Sequence, residues 1–231
     1  MNALRQPVIT ISRQRGSGAD EIATLVAQKL NIPLYDQQVI SRAAQDAGVS
    51  EMTIESAAHS QSFLARLVDS LGRYAGMGVE GSMPADFSSV QMLYTSADYR
   101  TVIEQVLRSI ADTGSGIIIG HGGAQAALRR RPDVLHVFIH APLEQRVRRI
   151  MAWQKVDYDA AKRDCVETDK ERTDYFRSNY NVNWYDLRLY DLVINSGGRT
   201  WEHVADEICE AAQMMPERSV ADTPDAGERH R

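Results

Sequence analysis

Cysteine is scarce in this chain: its 231 residues include only Cys165 and Cys209. Neither has a partner at C-x-x-C spacing, so the sequence indicates neither a structural zinc site nor a disulfide framework. We expect both cysteines to be buried free thiols, because cysteine is among the residue types found most often in protein cores.

Long apolar runs are also missing. No run approaches the roughly 20 residues of a membrane-spanning helix, and the N-terminus lacks the apolar region of a signal peptide. The formal net charge of −5 argues against a general nucleic-acid binder. We therefore expect a cytoplasmic protein with one substantial core, and neither membranes nor nucleic acids among its partners.

Short apolar runs alternate with helical patterns, which is typical of a mostly parallel sheet flanked by helices. No internal repeat is visible. The predicted strands are Val8–Ser12, Pro33–Asp36, Gly116–Gly120, Leu135–Ala141 and Asp191–Asn195. Between the first two strands, apolar residues recur at spacings of three and four residues and predict a helix with one buried face.

The remaining segments complete a one-domain organisation. Residues from about 38 to 111 are predicted to form a helical insertion that ends in an amphipathic helix at Tyr99–Ile110. A strongly charged helical region is predicted from Leu143 to about Tyr180. Residues 216–231 are polar and contain proline, so we predict a disordered tail after a single domain spanning residues 1–215.

The turn after the first predicted strand has the pattern of an anion site. Residues 8–23 pass from a strand through the turn RQRGSG straight into a helix. Such a turn directs unpaired backbone N–H groups and the positive end of the helix dipole toward one point. The residues predicted to bind the anion, later identified with the phosphates of the donor, are Arg13, Arg15, Gly16, Ser17, Gly18 and Ala19.

This turn lacks the lysine of a Walker loop. In the pattern G-x-x-x-x-G-K-S/T the lysine would follow Gly18, but Ala19 stands there, followed by Asp20 and Glu21. The loop therefore suits an anion without the usual point charge for a terminal phosphate. We predict that the two arginines of the turn replace part of that charge.

Two other interpretations of the turn remain open from the residues alone. A tight strand-to-helix turn would need glycine for backbone geometry only. That interpretation leaves the arginines unexplained, because a helix N-terminus disfavours cations. A dinucleotide-binding fingerprint would need a third small residue where Glu21 stands, although Asp36 does supply the acidic end of the second strand.

Several segments, in order along the chain, are similar to those of one known family. They are ITISRQRGSG at 9–18, LYD at 34–36, IIIGHG at 117–122, DVLHVFI at 133–139, the run 169–180, Trp184, and LYDLVIN at 189–195. They resemble the cytidylate kinase-like family of P-loop proteins, whose phosphate loop has lost the Walker lysine. The resemblance implies a three-layer P-loop NTPase-like α/β fold with a mostly parallel five-stranded sheet. It also implies a helical acceptor-binding insertion and an arginine-bearing lid at about 155–183.

The resemblance also implies residues for the acceptor. Asp36 and Arg42 are similar in spacing to the aspartate and arginine that line the acceptor pocket of cytidylate kinases. His121 stands where the family often has an arginine that binds the acceptor phosphate, and a neutral histidine binds phosphate more weakly. From the residues alone, Arg42 is equally well a surface arginine, and His121 a satisfied structural histidine.

In the lid, the resemblance implies that Arg172 and Arg177 act with Arg13 in catalysis. Phosphoryl transfer is catalysed mainly by positioning and by neutralising charge on the transferred group. The residues alone are equally explained by a solvated helix with i,i+4 charge pairs such as Lys170 with Asp174. We expect the aromatic residues that follow to pack in the core rather than to stack on a base.

Two other basic clusters are less informative. The triplet Arg129–Arg131 is predicted to complement the dipole at the C-terminus of its own helix. Arg146, Arg148 and Arg149 lie on the helix before the lid and receive no individual role.

The resemblance implies an ATP-dependent nucleotide or nucleoside kinase. Such an enzyme would use Mg²⁺ and transfer the γ-phosphoryl group of ATP to a small phosphate acceptor such as CMP. The metal ligands stay unassigned, because the usual magnesium-binding hydroxyl falls at or near Asp20 and Glu21. The alternative is a catalytically impaired nucleotide-binding sensor or interaction protein on the same fold. A homodimer built on the helical insertion, with a vestigial site, is a third arrangement.

Overall fold

The computed structural model describes residues 7–36, 97–120 and 124–215. Most of the predicted helical insertion, including Arg42, lies outside these residues. The same is true of His121 and of the predicted tail at 216–231.

A five-stranded parallel sheet forms the centre of the fold. Its strands are β1 (Val8–Arg13), β2 (Leu34–Tyr35), β3 (Gly116–Ile119), β4 (Val134–His140) and β5 (Leu192–Asn195), in the spatial order β2-β3-β1-β4-β5. All four neighbouring pairs are parallel, so the predicted sheet class is confirmed. Because β3 and β4 flank β1, the strand order reverses direction at β1, and open α/β sheets bind ligands at such a point.

Six helices surround the sheet in the described part of the chain. They are α1 (Ala19–Leu30), α2 (Ala97–Thr113), α3 (Ala124–Ala127), α4 (Leu143–Gln154), α5 (Tyr158–Tyr180) and α6 (Trp201–Gln213). The predicted charged helical region consists of the two helices α4 and α5. Lys155 takes a left-handed conformation with φ of 57° and ends α4. Asp157 then caps α5 by accepting a hydrogen bond from the backbone N–H of Ala160.

The main core lies between the sheet and the helices α1 and α6. Ile9 and Ile11 of β1 are fully buried there, together with Ile22 of α1 and Ile208 of α6. β1 is buried on both faces from Val8 to Ser12, including the polar residues Thr10 and Ser12. Both cysteines are buried free thiols, as predicted.

Arg131 does not have the role predicted for the Arg129–Arg131 triplet. Arg131 donates from Nη2 to the carbonyl oxygen of Ala111, which belongs to the last turn of α2 rather than to its own helix. It also pairs with Asp133 at 2.8 Å, and hydrogen bonds to this carboxylate and to Asp112 raise the pKa of Arg131. The arginine therefore joins α2 to the start of β4.

None of the helices in the described ranges is long and apolar enough to cross a bilayer.

Candidate functional site

The loop between β1 and α1 has the backbone shape of an anion-binding turn. Gly16 and Gly18 have φ values of 78° and 79°, a region that favours glycine. Gly16 is also closely packed, because a Cβ atom there would lie 2.9 Å from the carbonyl oxygen of Arg146. Gly18 is the N-cap residue of α1 and supplies no side-chain hydrogen bond to the helix. The first amides of α1 therefore lack a side-chain cap, and this suits an anion.

A cavity of about 310 Å³ opens at this loop. Its volume is in the range of small-molecule binding pockets. The cavity is lined by loop residues 13–18, by Ala19, Asp20 and Glu21 of α1, and by Arg149, Ile150, Trp153, Arg172 and Trp201 from other elements. The structure thus brings Arg172 together with every residue predicted to bind the donor phosphates.

Arg13 lies at the mouth of the loop and is already paired. Its Nη2 is 3.0 Å from Asp20 Oδ1, and its Nε donates to Oδ2 at 3.3 Å. The Asp20 side chain is 67% exposed, and ion pairs with so exposed a partner contribute about 0–1 kcal/mol. An incoming phosphate can therefore take the guanidinium from Asp20 at little cost.

Arg172 projects from α5 toward the same loop. Its Nη1 donates to the carbonyl oxygen of Arg13 at 2.7 Å. Burial lowers the pKa of Arg172 to about 10, with the nearby Arg13 guanidinium acting in the same direction. Arg172 is therefore still protonated at neutral pH and adds a fixed positive charge. Arg177, also predicted from the sequence, is exposed and lines neither this cavity nor the second one described below.

Arg149 of α4 also belongs to the site, although no individual role was predicted for it. Its Nη1 donates to the carbonyl oxygens of Gly16 at 3.3 Å and of Ser17 at 3.0 Å. Its Nη2 donates to the carbonyl oxygen of Ser196, which follows β5. The guanidinium carbon also lies 4.4 Å from the centre of the Trp201 ring. Arg149 therefore holds the loop carbonyls by hydrogen bonds and places a cation beside the loop.

A buried ion pair clamps the loop from behind. Arg146 Nη1 lies 2.7 Å from Asp169 Oδ2, with side chains only 8% and 9% exposed. Asp169 Oδ1 accepts the backbone N–H of Arg15 at 2.8 Å, while Arg146 donates to the carbonyl oxygen of Arg15 at 3.0 Å. Burial raises the pKa of Asp169, against the lowering effect of the Arg15 amide and the Arg146 charge. The pair therefore positions the loop at an electrostatic cost.

The side chain of Arg15 turns toward α4 and α5. Its Nε donates to Asp164 Oδ2 at 3.0 Å, and its guanidinium carbon lies 5.2 Å from the centre of the Trp153 ring. Two tryptophans, Trp153 and Trp201, thus line the cavity with an arginine over each ring. They provide flat apolar surface beside a cationic loop.

A second, smaller cavity of about 40 Å³ lies at the carboxyl ends of β1 and β3. It is lined by Ile11, Ser12, Arg13, Gly120, Gln125, Arg172, Phe176 and Trp184. The two cavities therefore share the arginines Arg13 and Arg172. Asp36, predicted for the acceptor, follows β2 and lines neither cavity.

Of the aromatic residues predicted to pack in the core, Phe176, Trp184 and Tyr190 do so, whereas Tyr185 is exposed. Phe138, Phe176, Trp184 and Tyr190 are buried together. Trp184 donates from Nε1 to Ser12 Oγ at 2.8 Å. The cluster therefore fixes one wall of the smaller cavity.

Carboxylates for a metal ion are few in the described ranges. No group of three or more His, Cys, Asp or Glu side chains there could hold a metal. Asp20 and Glu21 are the carboxylates that line the larger cavity.

The model of the cytidylate kinase-like family matches residues 8–198, from the first residue of β1 to the loop after β5. The chain belongs to the cytidylate kinase-like family. Among solved structures, this cytidylate kinase-like chain is similar to an uncharacterized protein from Eubacterium ventriosum ATCC 27560. The identity is 22% and the TM-score 0.62, and the match covers 90% of this chain and 99% of that one.

A shikimate kinase from Bacteroides thetaiotaomicron is also similar, at 13% identity and a TM-score of 0.50, with 90% of this chain and 99% of that one covered. Likenesses at these identities show the fold alone, and they confirm the predicted P-loop kinase fold. No curated protein matches the sequence significantly. The family and the fold together support a nucleotide kinase, without naming the acceptor.

Proposed function

We propose that this cytidylate kinase-like protein transfers the γ-phosphoryl group of ATP to a small phosphate acceptor such as CMP. The observation that carries the proposal is that Arg13 and Arg172 line both cavities. A donor in the larger cavity and an acceptor in the smaller one would meet at these two guanidinium groups. Phosphoryl transfer needs positive charge at that junction, since negative charge is spread over the transferred group.

The residues of the larger cavity fit ATP and Mg²⁺. The uncapped amides of α1, the Arg13 guanidinium and the nearby Arg149 suit a polyphosphate. Asp20 and Glu21 suit Mg²⁺, which is commonly held by one or two carboxylates together with phosphate oxygens. Bound there, Mg²⁺ would neutralise part of the charge on the donor phosphates.

Each arginine has a distinct role in this proposal. Arg13 leaves Asp20 and binds the donor phosphates, replacing part of the charge of the missing lysine. Arg172 stays on the Arg13 carbonyl and holds the transferred group between the cavities. Arg177, like Asp36, Arg42 and His121, remains a prediction from the family resemblance.

A second candidate function is a nucleotide-binding sensor that has lost transfer. It is favoured by the pairing of Arg13 with Asp20, because a guanidinium that stays with this carboxylate does not neutralise charge on the transferred group. Losing one charge contact made in the transition state can cost about 3–4 kcal/mol, or orders of magnitude in rate.

One pair of measurements tests both functions. Excess protein is mixed with radiolabelled ATP, Mg²⁺ and either CMP or dCMP, and labelled product is followed over a single turnover. Calorimetry measures ATP binding in parallel. Transfer supports the kinase, and ATP binding without transfer to either acceptor supports the sensor. A protein that neither binds ATP nor transfers phosphate contradicts both.

A further inference from the structure

Arg149 is the one arginine at the loop between β1 and α1 that has no carboxylate partner among the described residues. The other four arginines that belong to this loop or donate to its carbonyl oxygens are each paired with an aspartate. The pairs are Arg13–Asp20, Arg15–Asp164, Arg146–Asp169 and Arg172–Asp169. Burial lowers the pKa of Arg149, and the nearby Glu21 carboxylate acts in the opposite direction without forming an ion pair.

Arg149 is held by uncharged groups instead. Its Nη1 donates to the carbonyl oxygens of Gly16 and Ser17 and to Ser196 Oγ, and its Nη2 donates to the carbonyl oxygen of Ser196 at 3.1 Å. These dipoles and the face of the Trp201 ring stabilise a cation without neutralising its charge. Nε forms no hydrogen bond within the described ranges. This partly buried guanidinium therefore keeps its charge and an N–H group for a ligand.

The place of Arg149 matches that of the missing lysine. A Walker lysine would follow Gly18, where Ala19 stands. The Trp201 ring lies against Gly18, since a Cβ atom there would overlap it, and the Arg149 guanidinium carbon lies 4.4 Å from the centre of that ring. Both Arg149 and Trp201 line the larger cavity. Helix α4 thus brings a cation close to the point from which a Walker lysine would extend.

A cation without a counter-charge at this point favours an anionic ligand. The N-terminus of α1 has a positive partial charge, so the guanidinium adds to that charge rather than offsetting it. Charged groups that leave water are nearly always paired in folded proteins. Arg13 differs from Arg149, because it must leave Asp20 before it binds a ligand. Arg149 needs no such release.

We propose that Arg149 supplies the standing positive charge of the missing lysine and binds the polyphosphate of the donor directly. Arg13 then adds a second and weaker contact, since part of its gain is spent on leaving Asp20. This inference rests on the proposed function, because it places the donor phosphates in the larger cavity.

The test measures anion binding by the full chain without Mg²⁺ and without transfer. Tripolyphosphate is titrated by calorimetry at several salt concentrations. Arg149→Gln removes the charge but keeps an amide that can donate to the loop carbonyls, whereas Arg149→Lys keeps the charge and loses the planar fork. The matched control is Arg148→Gln, which makes the same change of net charge at an exposed neighbour that lines neither cavity.

We expect Arg149→Gln to weaken tripolyphosphate binding by about thirtyfold, the scale of one lost charge-assisted hydrogen bond. Arg149→Lys should stay within about threefold of wild type, and Arg148→Gln within about twofold, because an exposed charge is screened. Arg13→Gln should cost less than Arg149→Gln, about fivefold, since Asp20 already neutralises Arg13 in the free protein.

A purely structural role in holding the loop would give a different pattern. Arg149→Lys would then bind as weakly as Arg149→Gln, and both would keep the salt dependence of wild type. A direct charge contact instead predicts that the affinity of Arg149→Gln falls less steeply with salt than that of wild type. Circular dichroism checks that each variant keeps the fold.

Tripolyphosphate affinity in Arg149→Gln within about twofold of wild type, or a larger loss in Arg13→Gln than in Arg149→Gln, overturns the inference. So does a wild-type protein that does not bind tripolyphosphate. The proposed function can fail separately. A wild-type protein that binds tripolyphosphate through Arg149 but transfers no phosphate would reject the kinase and keep this role. A protein that transfers phosphate and is unaffected by Arg149→Gln would keep the kinase and reject the role.

Discussion

At the scale of single residues, Arg13 tests whether a guanidinium replaces the missing lysine. Arg13→Ala removes a cation that lies between the two cavities, and we expect ATP affinity to fall by about tenfold, as for one charge-assisted hydrogen bond. Calorimetry measures the affinity, and circular dichroism checks the fold. The control is Arg129→Ala, an exposed arginine that lines neither cavity. Equal losses of ATP affinity in the two variants would contradict the hypothesis that Arg13 replaces part of the charge of the missing lysine.

Asp20 has the opposite expected effect. Asp20→Asn releases Arg13 and removes a negative charge from the mouth of the loop. Tripolyphosphate without Mg²⁺ should then bind about five times more tightly, equivalent to about 1 kcal/mol for one charge contact near the surface. Calorimetry at low and high salt measures this affinity. The gain in affinity should be smaller at high salt, because salt screens the charges.

The control for Asp20 is Asp174→Asn on α5. Asp174 also forms an exposed ion pair, with Lys170 at 2.7 Å, but lines neither cavity. A gain of the same size in this control would show that net charge, rather than the release of Arg13, causes the effect.

At the scale of secondary-structure elements, α4 and α5 hold the loop through the Arg146–Asp169 pair. Asp169→Asn leaves a buried guanidinium without its counter-charge, and removing one partner of such a pair destabilises proteins by about 3–5 kcal/mol. Urea unfolding followed by circular dichroism measures the loss. Tripolyphosphate affinity should fall as well, since Asp169 also holds the Arg15 amide. An unchanged unfolding midpoint would contradict the positioning role of the pair.

His136 joins β4 to β1 and to the end of α3. Its Nδ1 lies 2.7 Å from Thr10 Oγ1, and its Nε2 lies 3.3 Å from the carbonyl oxygen of Leu128. A neutral ring protonated on Nε2 satisfies both partners. Burial lowers the pKa of His136, against the raising effect of Asp191. Protonation of His136 is therefore less favourable in the folded state than in the unfolded state.

Stability should consequently fall as the pH drops below about 6.5, the pKa of an unperturbed histidine. The unfolded state binds more protons there, so the free energy of unfolding decreases by up to about 1.4 kcal/mol per pH unit. Urea unfolding between about pH 7 and 5 measures this slope. His136→Gln should flatten it, whereas His203→Gln at an exposed position of α6 should not. Burial also lowers the pKa of His140, which adds to the same slope, so only a slope in His136→Gln as steep as that of wild type would exclude His136 as a source.

At the scale of the whole molecule, ligand binding should stabilise the fold. ATP at about 100 times its dissociation constant adds about 2.7 kcal/mol to the free energy of unfolding. For a chain of this size, that raises the melting temperature by about 5–10 °C. Thermal unfolding by circular dichroism measures the shift. Adenosine, which lacks phosphates, should give a much smaller one, and equal shifts would show that the phosphates contribute nothing.

The sheet and the loop were predictable because their signals are local. Each predicted strand lies within one residue of its observed bounds, since short runs rich in β-branched and other apolar residues, bounded by turn residues, mark the strands. The loop was predictable because two glycines must take positive φ just before a helix. The left-handed turn at Lys155, which ends α4, has no local sequence signal, because lysine does not favour that conformation.

Arg149 and Asp169 were not predicted as site residues, because their contacts with the loop are distant in sequence. Arg149 donates to the carbonyl oxygen of Ser17, 132 residues earlier in the chain. Asp169 accepts the backbone N–H of Arg15 in the same loop, 154 residues earlier. One local signal did exist: Arg146 precedes Ile150 by a single helical turn on the buried face of α4, where an apolar residue is expected. The buried amide of Gln125, which has no hydrogen-bond partner among the residues that the structure describes, has no sequence signal either.

The indole of Trp201 lies so close to Gly18 that even a methyl group there would overlap the ring. Trp184, by contrast, is fully buried in its own aromatic cluster, away from the loop opening. Displacement of this loop would therefore alter the surroundings of Trp201, and of Trp153 beside Arg15, more directly than those of Trp184. The protein thus carries a built-in optical reporter, whose emission would follow occupancy of the loop in real time without an added dye.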